Sequence, residues 1–74
     1  MFVLTVIDNS SESGEAFLYN TEEEGKQVLK MKYKEKMCST HPLDEENTYI
    51  KKGGRYAVVC DYIKAIEYRL IEIV

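Results

Sequence analysis

A single strong helix signal, flanked on both sides by β-rich segments, is the feature that most constrains this fold. Thr21 and Glu24 form a capping box, in which the threonine hydroxyl accepts a hydrogen bond from the first helical turn and the glutamate reaches back. Acidic residues follow at the positive end of the helix dipole, and lysines gather at the negative end. Because Pro42 pushes the residue before it out of helical dihedrals, we predict a helix from about Glu22 to Cys38.

Two apolar ridges compete for the buried face of this helix. One has four-residue spacing and consists of Gly25, Leu29, Tyr33 and Met37. The other leans to a different side and consists of Val28, Met31 and Cys38. We predict that the first ridge is core, with Gly25 allowing close approach to a sheet.

The flanking segments have the composition of β-strands. Phe2–Ile7 is rich in β-branched residues and is apolar on both alternating faces, which favours a central strand covered on both sides. A polar turn then predicts a hairpin with a second strand at Glu15–Asn20. The C-terminal half predicts a Gly53-Gly54 turn and three extended segments, at residues 48–50, 55–61 and 65–74.

The apolar pattern of the last segment changes phase near Ile71, which predicts a bulge or burial on both faces. The element order ββαββ, with a further short extended piece, predicts an α+β fold. We expect a single antiparallel sheet of four to five strands with one helix packed on one face, and one domain over residues 1–74.

Length and composition exclude several classes of protein. The 74 residues are 45% hydrophobic and 31% charged, which is typical of a small globular domain and not of a disordered chain. The longest apolar run is too short to span a bilayer and lacks the flanks of a secretion signal. Two cysteines give no sign of an oxidising compartment, so we expect a cytoplasmic protein with reduced thiols and no membrane partner.

The charge balance makes nucleic acid an unlikely partner. Ten basic residues against thirteen acidic ones give a net charge of −3. The lysines concentrate on the predicted helix, where a solvated surface with aliphatic stems covering the apolar ridge is the usual outcome.

No residue pattern indicates an enzyme or a cofactor. The one histidine, His41, lies in a turn, and no nucleophile motif or phosphate-binding loop accompanies it. Cys38 and His41 have a plausible spacing for a metal, and Cys60 could add a third ligand. Structural zinc normally needs four ligands, so we expect no metal and interpret both thiols as packing residues.

Six tyrosines and no tryptophan are the more unusual feature. Most tyrosines serve as strand residues, but a core this small must leave several hydroxyls at the surface. Tyrosine and arginine are favoured at protein interfaces. Our candidate binding residues cluster around the predicted turns of the C-terminal half and are Tyr49, Arg55, Tyr62 and Lys64.

Four segments resemble small uncharacterised proteins of phages and other mobile elements in Firmicutes. They are residues 2–9, 20–26, 43–50 and 67–73; the resemblance extends over most of the chain and brings no catalytic or ligand motif. The resemblance implies a protein that acts by binding. We therefore expect a non-enzymatic inhibitor or modulator of a host protein or defence complex, with a nucleotide-sequestering oligomer as the alternative.

The apolar last strand also suggests self-association. It ends in Ile71, Ile73 and Val74, and a strand of this kind at a sheet edge would invite a second chain. We predict a homodimer, held by sheet edges or by the Val28–Met31–Cys38 side of the helix.

Overall fold

The computed structural model, which describes residues 1–9 and 13–73 and all their side chains except that of Ser13, has one helix and five strands. The elements are β1 (Phe2–Asp8), β2 (Ser13–Tyr19), α1 (Glu22–Ser39), β3 (Tyr49–Ile50), β4 (Tyr56–Cys60) and β5 (Ala65–Glu72). The predicted α+β fold, with one antiparallel sheet and a single helix, is confirmed. Val74, included in the predicted last strand, and Ser10–Glu12 of the first turn lie outside the described residues.

The strands form one sheet in the order β2-β1-β5-β4-β3, with every neighbouring pair antiparallel. The last strand therefore lies inside the sheet, between β1 and β4, and the suggestion that it forms an edge is wrong. Its pairing with β1 runs without a break from Asp8↔Ile66 to Phe2↔Glu72, so the predicted bulge is also wrong. The edges are β2 and the two-residue β3.

Helix α1 begins and ends close to where its capping residues predict. Thr21 has extended dihedrals, and its Oγ1 accepts a hydrogen bond of 3.2 Å from the backbone nitrogen of Glu24. The helix ends at Ser39, one residue beyond the prediction, and the Thr40 hydroxyl donates to the carbonyl oxygen of Lys36. This hydrogen bond confirms Thr21 as the N-cap, because its side chain accepts from a first-turn amide that would otherwise have no partner.

The helix packs on one side of the sheet along the predicted ridge. Gly25, Leu29 and Tyr33 are its buried residues, and Met37 is half-buried against the same core. A Cβ atom at Gly25 would lie 2.5 Å from Cδ1 of Leu70 in β5, so only glycine permits this approach. The competing ridge is not the core, because its Met31 and Cys38 are exposed and only Val28 touches the core.

The core lies between α1 and the helix-facing side of the sheet, called the inner face here. In β1 the inner-face residues Phe2 and Leu4 are buried, whereas Ile7 on the other face is exposed. The prediction that β1 is covered on both sides is therefore wrong. Two-sided burial at Ile71 is wrong for the same reason, since within the described residues no second layer lies on that face.

Two glycines make the tight turn between β3 and β4. Gly53 and Gly54 have φ angles of 102° and 74°, which are strained for any residue with a side chain. This confirms the predicted turn. Among the described residues, no helix combines the length and apolarity needed to cross a bilayer.

We expect Thr21→Ala to lower the free energy of unfolding by about 1 kcal/mol, because it leaves an amide of the first turn without its acceptor. Urea denaturation followed by circular dichroism measures the effect. Ser39→Ala is the matched control, since that hydroxyl donates only to a carbonyl oxygen at the exposed helix end. Equal stability of the Thr21 variant and the wild type would contradict the cap.

We expect Gly25→Ala to destabilise the protein by about 1–3 kcal/mol, although alanine is the better helix former. The added methyl group collides with the buried Leu70 side chain. Introduced into a Leu70→Ala background, the same substitution has room and should cost little. A Gly25→Ala variant that melts above the wild type would show that the helix does not sit this close to the sheet.

Candidate functional site

The side of the sheet opposite α1, called the outer face here, is the largest candidate interaction surface. The strand register aligns its side chains in rows across neighbouring strands. One row is entirely apolar and consists of Leu18, Val3 and Ile71 from β2, β1 and β5. Leu18 is 63% exposed and Ile71 46% exposed, and Ile7 in the same strand as Val3 is 44% exposed. Cross-strand neighbours lie about 5 Å apart, so Leu18, Val3 and Ile71 form one contiguous patch, whereas Ile7 lies four residues farther along β1, beyond Thr5.

Aromatic and cationic side chains occupy the other half of the outer face. The rings of Tyr49 and Tyr56 have centroids 6.0 Å apart. Lys51 Nζ lies 5.0 Å and the Arg69 guanidinium carbon 5.3 Å from the centroid of the Tyr56 ring. Arg69 also pairs with Glu67 at 3.3 Å. Burial, followed by the nearby Glu67 carboxylate, raises the pKa of Tyr56. The cluster thus presents an aromatic ring that contacts two cations.

The turn between β4 and β5 presents two exposed apolar side chains on a fixed backbone. Asp61 Oδ1 accepts hydrogen bonds of 2.7 Å from the backbone nitrogens of both Ile63 and Lys64. These backbone hydrogen bonds hold the pKa of the Asp61 carboxyl below its usual value. Ile63 is 94% exposed and Tyr62 70% exposed, so the turn holds them in place without burying either.

A shallow cavity of about 320 Å³ lies beside this turn. Both carboxylates that line it have partners within the chain: Asp44 accepts from the Asn47 amide at 2.8 Å, and Asp61 accepts from the turn amides. The Cys60 thiol lies 3.4 Å from the Asn47 carbonyl oxygen, and burial, then the carboxylates Asp44, Asp61 and Glu67, raises its pKa. A thiol with a raised pKa is a poorer nucleophile at neutral pH, because less of it is thiolate.

The structure brings together only two of the four predicted binding residues. Tyr62 and Lys64 share the β4–β5 turn. Tyr49 lies on the outer face, in the edge strand β3. Arg55 lies at the opposite end of β4, where its guanidinium binds Glu22 and stands 5.4 Å from the centroid of the Phe2 ring. Arg55 thus joins α1 to the sheet and is engaged within the fold.

Sequence reasoning missed the residues that form most of the outer face, namely Leu18, Val3, Ile71, Tyr56 and Arg69. The available signal was the alternation of side chains along a strand. It places Leu18 on the opposite face of β2 from its two neighbours, and Ile71 on the opposite face of β5 from Leu70. It could not be used without knowing which side of each strand the helix covers.

The three residues considered as metal ligands belong to different elements. Cys38 is exposed in the last turn of α1, His41 follows the helix, and Cys60 ends β4. Across residues 1–9 and 13–73, no group of three or more histidine, cysteine or carboxylate side chains is arranged to hold a metal ion. The expectation that the purified protein contains no stoichiometric zinc stays a prediction.

Comparison of the chain with protein-family models, curated proteins and solved structures found no match. The resemblance to small phage proteins therefore stays a prediction.

We expect iodoacetamide to alkylate Cys38 much faster than Cys60 at neutral pH. Cys38 is exposed, whereas Cys60 is partly buried and its raised pKa reduces the reactive thiolate. Mass spectrometry of the two tryptic peptides gives both rates, and the difference should narrow as pH rises through the pKa of Cys60. Faster labelling of Cys60 at neutral pH would contradict this description of its surroundings.

Proposed function

We propose that this chain is a non-enzymatic binding protein that docks on another protein through the outer face of its sheet. The observation that carries the proposal is the apolar row of Leu18, Val3 and Ile71, in which Leu18 and Ile71 are exposed. Large contiguous apolar patches on soluble proteins commonly mark sites of interaction with another protein. Helix α1 packs on the opposite side of the sheet, so a partner protein could cover the outer face.

The remainder of the outer face has the composition of a protein interface. Tyrosine and arginine are enriched in such interfaces, and here Tyr49, Tyr56 and Arg69 lie beside the apolar row. Paired strands hold the backbone beneath them, so binding would order few additional groups and cost little conformational entropy. This chemistry favours a partner with an apolar patch bordered by acidic and hydrogen-bonding groups that meet Arg69 and Lys51.

The biological role that we propose is inhibition or modulation of a host protein or defence complex by a cytoplasmic, phage-type protein. The resemblance to small mobile-element proteins supports this role. A chain of 74 residues that presents a preformed sheet face can act by occupying a surface on its target. No cofactor enters this function.

We expect Ile71→Lys to abolish capture of a host protein that the wild type and Met31→Lys both retain. Ile71 and Met31 are similarly exposed, at 46% and 53%, but Met31 lies on the helix. The two variants therefore add the same charge to different surfaces. Immobilised proteins are exposed to host lysate, and the retained protein is then purified and titrated by calorimetry.

Equal binding of the partner by Ile71→Lys and the wild type would contradict docking through the outer face. Melting temperatures of both variants are measured first, so that loss of binding is separated from loss of folding.

The alternative function is sequestration of a nucleotide, and the cations around Tyr56 are the observation that favours it. An aromatic ring beside Lys51 and Arg69 could stack on a base while the cations contact phosphate. A ligand that binds only the folded protein raises its melting temperature. A thermal-shift screen against mononucleotides and cyclic nucleotides therefore distinguishes the two functions, because protein docking predicts no shift.

A further inference from the structure

We propose that two copies of this chain pair through their β2 strands, in an antiparallel register centred on Ala16. The pairing forms one continuous ten-stranded sheet with both helices on the same side. This inference uses the sheet edge and is independent of the function proposed for the outer face.

The edge formed by β2 has only one of the devices that normally keep sheet edges from pairing, the inner-face charge of Glu15. All seven residues of β2 pair with β1 without a bulge, so its free edge is regular. The strand contains no lysine, arginine or proline, and Glu15 is its one charged residue. Monomeric proteins usually protect an edge of this length with such residues. The opposite edge is protected, since β3 has only two residues and Lys51-Lys52 follow it.

The register centred on Ala16 pairs the strand along its full length. Ser13 lies opposite Tyr19 of the second copy, Gly14 opposite Leu18, and Glu15 opposite Phe17. Each pair joins residues of the same parity, so inner faces stay aligned with inner faces and outer with outer. A register shifted by two residues would leave one end of each strand unpaired.

Charge complementarity supports the same register. Lys32 of α1 lies over the inner face of β2, with its Nζ 4.7 Å from the centroid of the Phe17 ring. Glu15 of the second copy is placed directly opposite Phe17, which brings its carboxylate within reach of this ammonium group. Within the described part of the chain neither Glu15 nor Lys32 forms a salt bridge, so both charges are available for a contact between copies. Two-fold symmetry provides this contact twice.

The outer face gains a continuous apolar row in this dimer. Leu18 lies opposite Gly14 of the second copy, where no side chain competes for space. Gly14 is in turn paired with Ile7 of its own chain. The row Ile71–Val3–Leu18 therefore continues across the edge to the partner's Ile7, and the symmetric row does the same.

Sedimentation equilibrium over a wide range of protein concentration tests the proposal. We expect a species of twice 8.6 kDa for the wild type and a single 8.6 kDa species for Ala16→Lys. That variant puts two lysines opposite each other at the symmetry axis, and because Ala16 is exposed the monomer should still fold. Ile63→Lys adds the same charge at the exposed turn and should stay dimeric.

A charge exchange tests the register itself. Glu15→Lys and Lys32→Glu should each weaken the dimer, by about tenfold in dissociation constant, and the double variant should restore it. A wild type that stays at 8.6 kDa at every concentration overturns the dimer and leaves the proposed function to its own test. A dimer that persists in Ala16→Lys but separates in Ile71→Lys or Met31→Lys overturns the β2 pairing.

Discussion

The close contact between helix α1 and strand β5 is the constraint on which the rest of the structure depends. Gly25 has no side chain, so the first turn of the helix rests directly on Leu70, and Leu29 is fully buried one turn later. This contact holds the one helix of the described residues against one side of the sheet. Its capping residue and its dipole-matched charges fix where the helix begins, and the glycine ridge fixes which face it buries.

The packing of α1 on one side of the sheet leaves two surfaces uncovered, the outer face and the edge formed by β2. A helix about 10 Å wide cannot cover five strands spaced about 4.8 Å apart, so it covers the central strands and leaves β2 at the rim. Lys32, not an apolar side chain, lies over Phe17 there. The outer face receives no cover from the helix, although Leu18, Val3 and Ile71 form an apolar row on it. The free edge and the open face are therefore two consequences of one helix packed on a wide sheet.

The elements that local chemistry determines could be predicted from the sequence, and the placement of strands could not. The cap at Thr21, the buried ridge through Gly25 and the Gly53-Gly54 turn depend on residues close in sequence, and all three are confirmed. Strand order depends on pairing across the whole chain, so nothing local shows that β5 lies between β1 and β4. A strand whose exposed face is apolar has the same sequence pattern as a strand that is buried on both faces. This explains why the expectations for β1 and Ile71 were wrong. The contact of Arg55 with Glu22 could not be predicted either, because the two residues are 33 positions apart.

The one-sided core is the central claim, and methyl-group exposure measured by nuclear magnetic resonance tests it most directly. A soluble gadolinium chelate broadens the signals of methyl groups that it can approach. We expect strong broadening for Leu18, Ile7 and Ile71, comparable to that of Ile63 at the exposed turn, and almost none for Leu4 and Leu29. If the methyl groups of Ile7 and Ile71 were as protected as that of Leu4 in the monomeric Ala16→Lys variant, the outer face would be covered and the claim contradicted.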